Sequence, residues 1–229
     1  MPIVPAQNWK TVQSGVAWQT RQVGIDSIAL VRIDPAQVRI RVAYDPQAPK
    51  KLSEWVNVLH PLVAINGGFF ESDYRATALT IADGVTSGAS YQGFGGMLTV
   101  NSDGRAELIS LIDHSGYPGK DILQAIQSFP RLVWDGEVIP ELDNEQRARR
   151  TAVAIDDTGH LLLIVSEMPM WTLAELGQWL ADSDLGIVRA LNLDGGPSTG
   201  LAIQAPGSTV LLDSQGPLPQ VLMFEEKES

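Results

Sequence analysis

Leu52-Ser53-Glu54-Trp55-Val56-Asn57-Val58-Leu59-His60-Pro61-Leu62-Val63-Ala64-Ile65-Asn66-Gly67-Gly68-Phe69-Phe70 reads as a helix, a stop, a strand and an elbow in succession. Leu52, Trp55, Val56 and Leu59 follow the i, i+3, i+4, i+7 spacing of a helix laid on a core. His60-Pro61 ends it, because the residue before a proline is pushed out of the helical region. Val63–Ile65 is then an apolar strand, closed by Asn66 and two glycines. The same order returns near the end of the chain. Thr172-Leu173-Ala174-Glu175 is a capping box, with Leu173, Leu176 and Leu180 on the buried face of the helix it opens and Asp182-Ser183-Asp184-Leu185-Gly186 as its end. The strand Val188–Asp194 follows and runs into the second elbow, Ala190-Leu191-Asn192-Leu193-Asp194-Gly195-Gly196-Pro197-Ser198-Thr199. These two units predict that the elbow strands are central and adjacent, so that Asn66 and Asp194 share one mouth.

Working outward, the remaining sequence is dominated by strand signals. Ser27–Ile33 and Val38–Ala43 are rich in Val, Ile and Leu, and Asp34-Pro35-Ala36-Gln37 between them predicts a hairpin turn. Leu79–Ala82 and Met97–Val100 read as short strands, and the latter continues through Asn101-Ser102-Asp103-Gly104 into a strand at Glu107–Leu111. Ile122, Leu123 and Ile126 suggest a short helix. Pro130–Ile139 predicts a hairpin turning at Asp135-Gly136, and Glu141–Arg150 a charged loop. Thr151–Ile155 and Leu161–Ser166 form the clearest hairpin, while Val210–Leu212 and Val221–Phe224 read as edge strands. The prediction is a single α+β domain, a mixed or antiparallel sheet core with a few packed helices. It occupies residues 25–225, after an N-terminal extension or first strand at 1–24 and before a charged tail at 226–229.

Composition narrows the function. A net charge of −11 without a large basic run argues against nucleic acid as a partner. The chain has no cysteine, which removes disulfides, thiolate nucleophiles and thiolate metal ligands together. No apolar stretch approaches the roughly 18–20 residues of a membrane span. Met1–Pro5 has neither a charged n-region nor an apolar h-region, so two readings stand: a cytoplasmic protein, or a mature or trimmed form.

The elbows are where chemistry is expected. Paired glycines allow a sharp turn and close approach of a ligand, and their amides can hold an anion. Asp194 is the leading candidate, as acid, base, nucleophile or metal ligand; the plain alternative is a turn residue capping its own backbone. Asn66 either binds and orients a ligand or serves the left-handed conformation before Gly67-Gly68. Arg150, at the entry to a strand, offers a bidentate grip on phosphate or carboxylate, or is a solvated surface residue. Gly195, Gly196, Ser198 and Thr199 could present amides and hydroxyls, and Glu71 or Asp73 a second carboxylate. Gly196-Pro197-Ser198-Thr199-Gly200 fits the letters Gly-x-Ser-x-Gly, but the preceding Asp-Gly-Gly and the proline do not suit a hydrolase nucleophile elbow. His60, His114 and His160 are the histidines available to a triad, and His114 has no support as a ligand.

Four motifs in order resemble the phosphodiester glycosidase family: Asn66-Gly67-Gly68-Phe69-Phe70, Pro130-Arg131-Leu132-Val133-x-Asp135-Gly136, Arg150-Thr151-Ala152-Val153-Ala154-Ile155-Asp156, and Leu193-Asp194-Gly195-Gly196-x-Ser198-Thr199. The resemblance covers about residues 25–225. It implies hydrolysis of a glycosidic bond between a sugar, N-acetylglucosamine among the candidates, and a phosphodiester-linked group. It also implies a role in bacterial exopolysaccharide metabolism, export, and a site lined by Asp194, Arg150 and Asn66. In this reading Gly67, Gly68, Gly195, Gly196, Ser198, Thr199 and Glu71 bind substrate, and no cofactor is expected. The departure is Pro197, where many relatives have a third glycine; it removes one amide donor. Two readings of other classes remain: a glycan-binding protein without turnover, and a metal-dependent phosphodiesterase with a divalent ion on Asp194, Asn66 and Glu71.

Overall fold

The computed structural model describes residues 9–112, 121–205 and 208–227; His114 and the segment around it lie outside the described residues. β1 (Lys10–Gln13), β2 (Val16–Val23), β3 (Asp26–Ile33) and β4 (Val38–Tyr44) precede α1 (Leu52–Leu59) and β5 (Val63–Asn66). Next come β6 (Thr80–Ala82), β7 (Val85–Ser87), β8 (Gly96–Asn101), β9 (Ala106–Ser110), β10 (Ile122–Ser128), β11 (Arg131–Trp134) and β12 (Glu137–Val138). The last third holds β13 (Thr151–Asp156), β14 (Leu161–Ser166), α2 (Leu173–Asp182), β15 (Ile187–Asn192), β16 (Leu201–Ala205), β17 (Ser208–Leu212) and β18 (Gln220–Glu226). With two α-helices among the described residues, α+β describes the fold only roughly; it is mostly β, and every strand pairing described is antiparallel.

The strands form an eight-stranded sheet in the order β1-β2-β3-β14-β13-β15-β11-β12, and two five-stranded sheets, β7-β6-β10-β8-β9 and β17-β16-β5-β18-β4. One apolar core joins all three. Val31, Val153, Leu163 and Leu191 from the first sheet meet Leu98, Leu108 and Ile126 from the second and Ile40, Ile65, Ile203, Leu222 and Phe224 from the third. The helices cover outer faces. Leu176 and Leu180 of α2 bury against Leu132, Ala152, Ile164 and Ala190, and Leu52, Trp55 and Val56 of α1 against Ala64, Ala202 and Met223. Each such Leu contributes about 2 kcal/mol by leaving water. Because β14 and β5 are covered on both faces, their sequences are continuous apolar runs without alternation.

Both helices start and stop as their sequences predict. The Thr172 hydroxyl accepts from Glu175 N at 3.1 Å while the Glu175 carboxylate accepts from Thr172 N at 3.1 Å. At α1, Glu54 accepts from Lys51 N, and His60 takes the left-handed conformation, φ 50°, as the chain turns toward Pro61.

Four expectations need correction. The segment of Ile122, Leu123 and Ile126 is strand β10, not a helix. It lies between β6 and β8, and buried polar residues on both of its faces hide the period of two. The Gln124 side-chain oxygen accepts from the amides of Val42 and Asp83, and that of Gln127 from the amide of Tyr91. Second, β3 and β4 do not pair: the turn at Asp34–Gln37 carries the chain from one sheet to another, and Asp34 N donates to Gly15 O instead. Third, β18 is not an edge strand but lies between β5 and β4. Fourth, β5 and β15 are in different sheets, so the elbow strands are not neighbours.

Candidate active site

The elbows meet nonetheless, end to end, through Asn66. Its Nδ2 donates to Asp194 O at 2.7 Å and Gly67 O at 3.3 Å; its Oδ1 accepts from Thr151 Oγ1 at 2.8 Å and Gly200 N at 3.1 Å. Asp194 N donates to Gly67 O at 3.3 Å and Leu193 N to Thr151 O at 2.8 Å. Asn66 is fully buried, and with all four hydrogen bonds directed at protein it pins the joint rather than facing a ligand. Its backbone is an ordinary strand residue, so the left-handed alternative does not hold.

The joint fixes Asp194. The chain turns tightly against the β13 entry: a Cβ on Gly195 would stand 2.8 Å from Arg149 O, so only glycine fits. Gly196 has φ +58°. Asp194 Oδ1 accepts from Gly195 N at 2.8 Å, so the carboxylate does cap its own turn. It is half-buried, and burial raises its pKa above the usual carboxylate value, against the hydrogen bonds from Ser198 and Gly195 N that lower it. A partly desolvated carboxyl held at a strand end is suited to proton transfer or to stabilising positive charge. Ser198→Ala removes the opposing hydrogen bond and so raises the Asp194 pKa further. If the ionised carboxylate is the working form, the acidic limb of a kcat/KM–pH profile moves to higher pH in this variant; an unmoved limb assigns it to another group.

The second elbow does not present the expected row of free amides. Gly195 N is taken by Asp194 and Gly200 N by Asn66. Gly196 N donates to Arg149 O, Ser198 N to Gly195 O and Thr199 N to Gly196 O, and Pro197 has none. At the first elbow Gly67 N is taken by Gln220 O, whereas the amides of Gly68 and Phe69 have no acceptor among the described residues. Two arginines lie near the second elbow. Arg150 is buried, donating from Nε to Trp171 O at 3.0 Å and from Nη2 to Gln146 O at 2.5 Å, and its Cδ passes 3.9 Å from the place of a Gly195 Cβ. Arg149, which sequence reasoning missed, is also buried. Its Nη2 donates to Thr199 O at 2.7 Å, while its Nε and the Thr199 hydroxyl are buried with no hydrogen-bond partner. Among the described residues neither arginine is in an ion pair, and burial lowers both pKa values, leaving two desolvated positive charges near the second elbow. The tandem Arg149-Arg150 at a strand entry was the available signal.

Strand order sets what flanks Asp194. β15 lies between β13 and β11 and is antiparallel to both, with Asn192 opposite Ala152 and Leu191 opposite Arg131. Where β15 runs out, β13 is therefore beginning on one side and β11 on the other. Arg150 stands on the first flank and Phe129-Pro130 on the second, and Asn192 Nδ2 donates to Phe129 O at 2.9 Å. Glu71 is exposed in the loop after the first elbow; its charge, after burial, helps to raise the Tyr91 pKa. Asp73 pairs with Arg75 in the same loop. A separate cleft of about 490 Å³, lined by Glu107, Asp156, Asp157 and Arg189 among others, opens at the opposite ends of β13 and β15 and contains no elbow residue.

The model of the phosphodiester glycosidase family matches residues 60–225. The chain belongs to that family. The matched span holds both elbows and the Arg149-Arg150 pair, but not β1 to β4 or α1. Among solved structures the chain is similar to the zebrafish N-acetylglucosamine-1-phosphodiester alpha-N-acetylglucosaminidase catalytic domain auto-inhibited by its pro-peptide, with TM-score 0.72, 19% identity, and 93% of this chain and 82% of that one covered. It is similar also to a hypothetical protein from Synechocystis, with TM-score 0.67, 18% identity, and 97% and 64% covered. At these identities the likeness is one of fold. No curated protein matches the chain.

Proposed function

We propose that this phosphodiester glycosidase family member is a hydrolase. It cleaves the bond between the anomeric carbon of a sugar, N-acetylglucosamine or a related hexose, and a phosphodiester-linked group. The observation that carries this reading is the half-buried Asp194 carboxylate at the end of β15, with the buried Arg150 at the adjoining β13 entry, its Cδ 3.9 Å from the place of a Gly195 Cβ. A phosphodiester is a good leaving group and needs little protonation, so one carboxylate can carry the chemistry. Asp194 attacks the anomeric carbon, stabilises its developing positive charge or activates water, while Arg150 takes the departing phosphate charge. Asn66 positions Asp194 by holding its carbonyl. A divalent ion on Asp194, Asn66 and Glu71 is disfavoured because the Asn66 oxygen already accepts two hydrogen bonds.

The test is incubation with an N-acetylglucosamine-alpha-1-phosphodiester and measurement of free reducing sugar, with and without chelator. Release that survives chelation supports the reading. Release that chelator abolishes returns the metal-dependent alternative, and binding without release across several sugars leaves a glycan-binding protein. Within the proposed reading, Arg150→Ala is expected to weaken kcat/KM for such diesters about 100-fold, from loss of a charge-assisted hydrogen bond worth about 1.5–3 kcal/mol. A variant that loses no activity removes Arg150 from the phosphate site.

A further inference from the structure

On the flank of Asp194 opposite the arginines, four aromatic side chains from three separate segments come together. Phe69 follows the first elbow and stands 4.7 Å, ring centre to ring centre, from Phe129. Tyr91 and Phe94 lie at 5.6 and 5.9 Å from Phe129, both edge-on, and at 4.6 Å from each other. Phe94 is 46% exposed and Phe129 38%, so the cluster keeps part of its apolar surface in water at the mouth of the site. The loop bearing Phe94 is tied down on both sides. Tyr91 N donates to the Gln127 side chain, whose nitrogen donates to Ser90 Oγ; Gly93 N donates to Leu111 O and Leu111 N to Gly95 O. The exposed rings are thus held in place before any ligand arrives, a condition for cheap binding.

We propose that Phe94 and Phe129, backed by Phe69 and Tyr91, form the stacking platform for the sugar ring of the substrate, on the side of Asp194 away from Arg149 and Arg150. This deepens the glycosidase reading and rests on it. A sugar phosphodiester over Asp194 has two unlike ends: an anion, and a ring whose C–H face is apolar and whose rim is polar. The β13 flank offers charge to the first and the β11 flank offers aromatic faces to the second. Aromatic anchors at an otherwise polar mouth bind by burying such a face while the rim keeps its hydrogen bonds. The Tyr91 hydroxyl is buried in the same cluster without a hydrogen-bond partner.

The probe is a panel of neutral methyl alpha-hexosides and N-acetylhexosaminides, followed by saturation-transfer NMR and titration on the wild-type protein, Phe94→Ala, Phe94→Tyr and Arg150→Ala. Phe94 is on an exposed loop, so truncation spares the core, and circular dichroism checks the fold. At least one glycoside is expected to bind the wild type with saturation on its ring C–H protons, about tenfold more weakly to Phe94→Ala, with affinity restored in Phe94→Tyr. No binding by any glycoside, or equal affinity in Phe94→Ala, overturns the platform. The glycosidase reading is scored separately by sugar release. Release with an unchanged KM in Phe94→Ala sinks the platform and keeps the enzyme, whereas ring binding through Phe94 without release keeps the platform and sinks the enzyme.

Discussion

Asp194→Asn is expected to lower turnover of a sugar phosphodiester by about a thousandfold or more and, at neutral pH, to make the fold more stable. The first half follows from the proposed chemistry, since the amide can neither attack nor hold charge. The second follows from linkage. Burial raises the Asp194 pKa above its unfolded value. A carboxyl shifted upward contributes stability that is fully present below the unfolded pKa and is lost as pH rises through the folded pKa. At neutral pH the ionised carboxylate is therefore a cost to the fold, and Asn removes it while keeping an oxygen for Gly195 N. The gain in Tm is expected to shrink as the pH is lowered toward the unfolded pKa. A functional carboxylate held against stability is the pattern expected of a working site. A residue that only caps its turn predicts no effect on turnover, since Asn keeps the acceptor for Gly195 N. Sugar release and thermal melts at two pH values on the same preparation separate the two.

How much of this was legible in the sequence depends on distance along the chain. The elbows were visible because glycine pairs after apolar runs are local signals, and the Asp135-Gly136 turn because both residues must take positive φ, here 52° and 80°. What the sequence could not show was which sheet a strand joins. β3 and β4 look like a hairpin because the turn between them is chemically ordinary; their separation is decided by partners far away, β14 for one and β18 for the other. β10 was misread because Gln124, Gln127 and Ser128 place buried polar residues on both of its faces, and buried glutamines that bond to distant amides mask the strand period. The aromatic cluster is not legible in the sequence because Phe69, Tyr91, Phe94 and Phe129 are scattered, and connections adjoining all three sheets must meet to assemble it. For Asn66 the sequence points to contact with a ligand, whereas the four hydrogen bonds of its side chain are made with the protein.

That contact makes Asn66 the residue whose loss is expected to damage the fold most. Asn66→Ala deletes four hydrogen bonds at once and strands the Thr151 hydroxyl, the Gly200 amide and the Asp194 carbonyl in a buried joint. At 1–3 kcal/mol for each stranded group, tempered by relaxation, the loss is about 3 kcal/mol. Urea denaturation with an unchanged slope measures it. Asn66→Asp is the sharper variant. It is nearly the same shape and keeps an acceptor for Thr151 and Gly200, but it places a second oxygen against Asp194 O and buries a charge. Comparable destabilisation in both variants shows that the donors to Asp194 O and Gly67 O hold the elbows together; a stable Asn66→Asp shows that the acceptor side alone suffices. In the folded fraction of either variant, kcat is expected to fall with KM less affected, because what moves is the Asp194 backbone and a displacement near 1 Å at a reacting group costs about 100-fold. Full kcat in the folded protein would mean that the second elbow holds Asp194 by its own turn, through Gly195 N and Ser198, and that the link between the two elbows serves folding only.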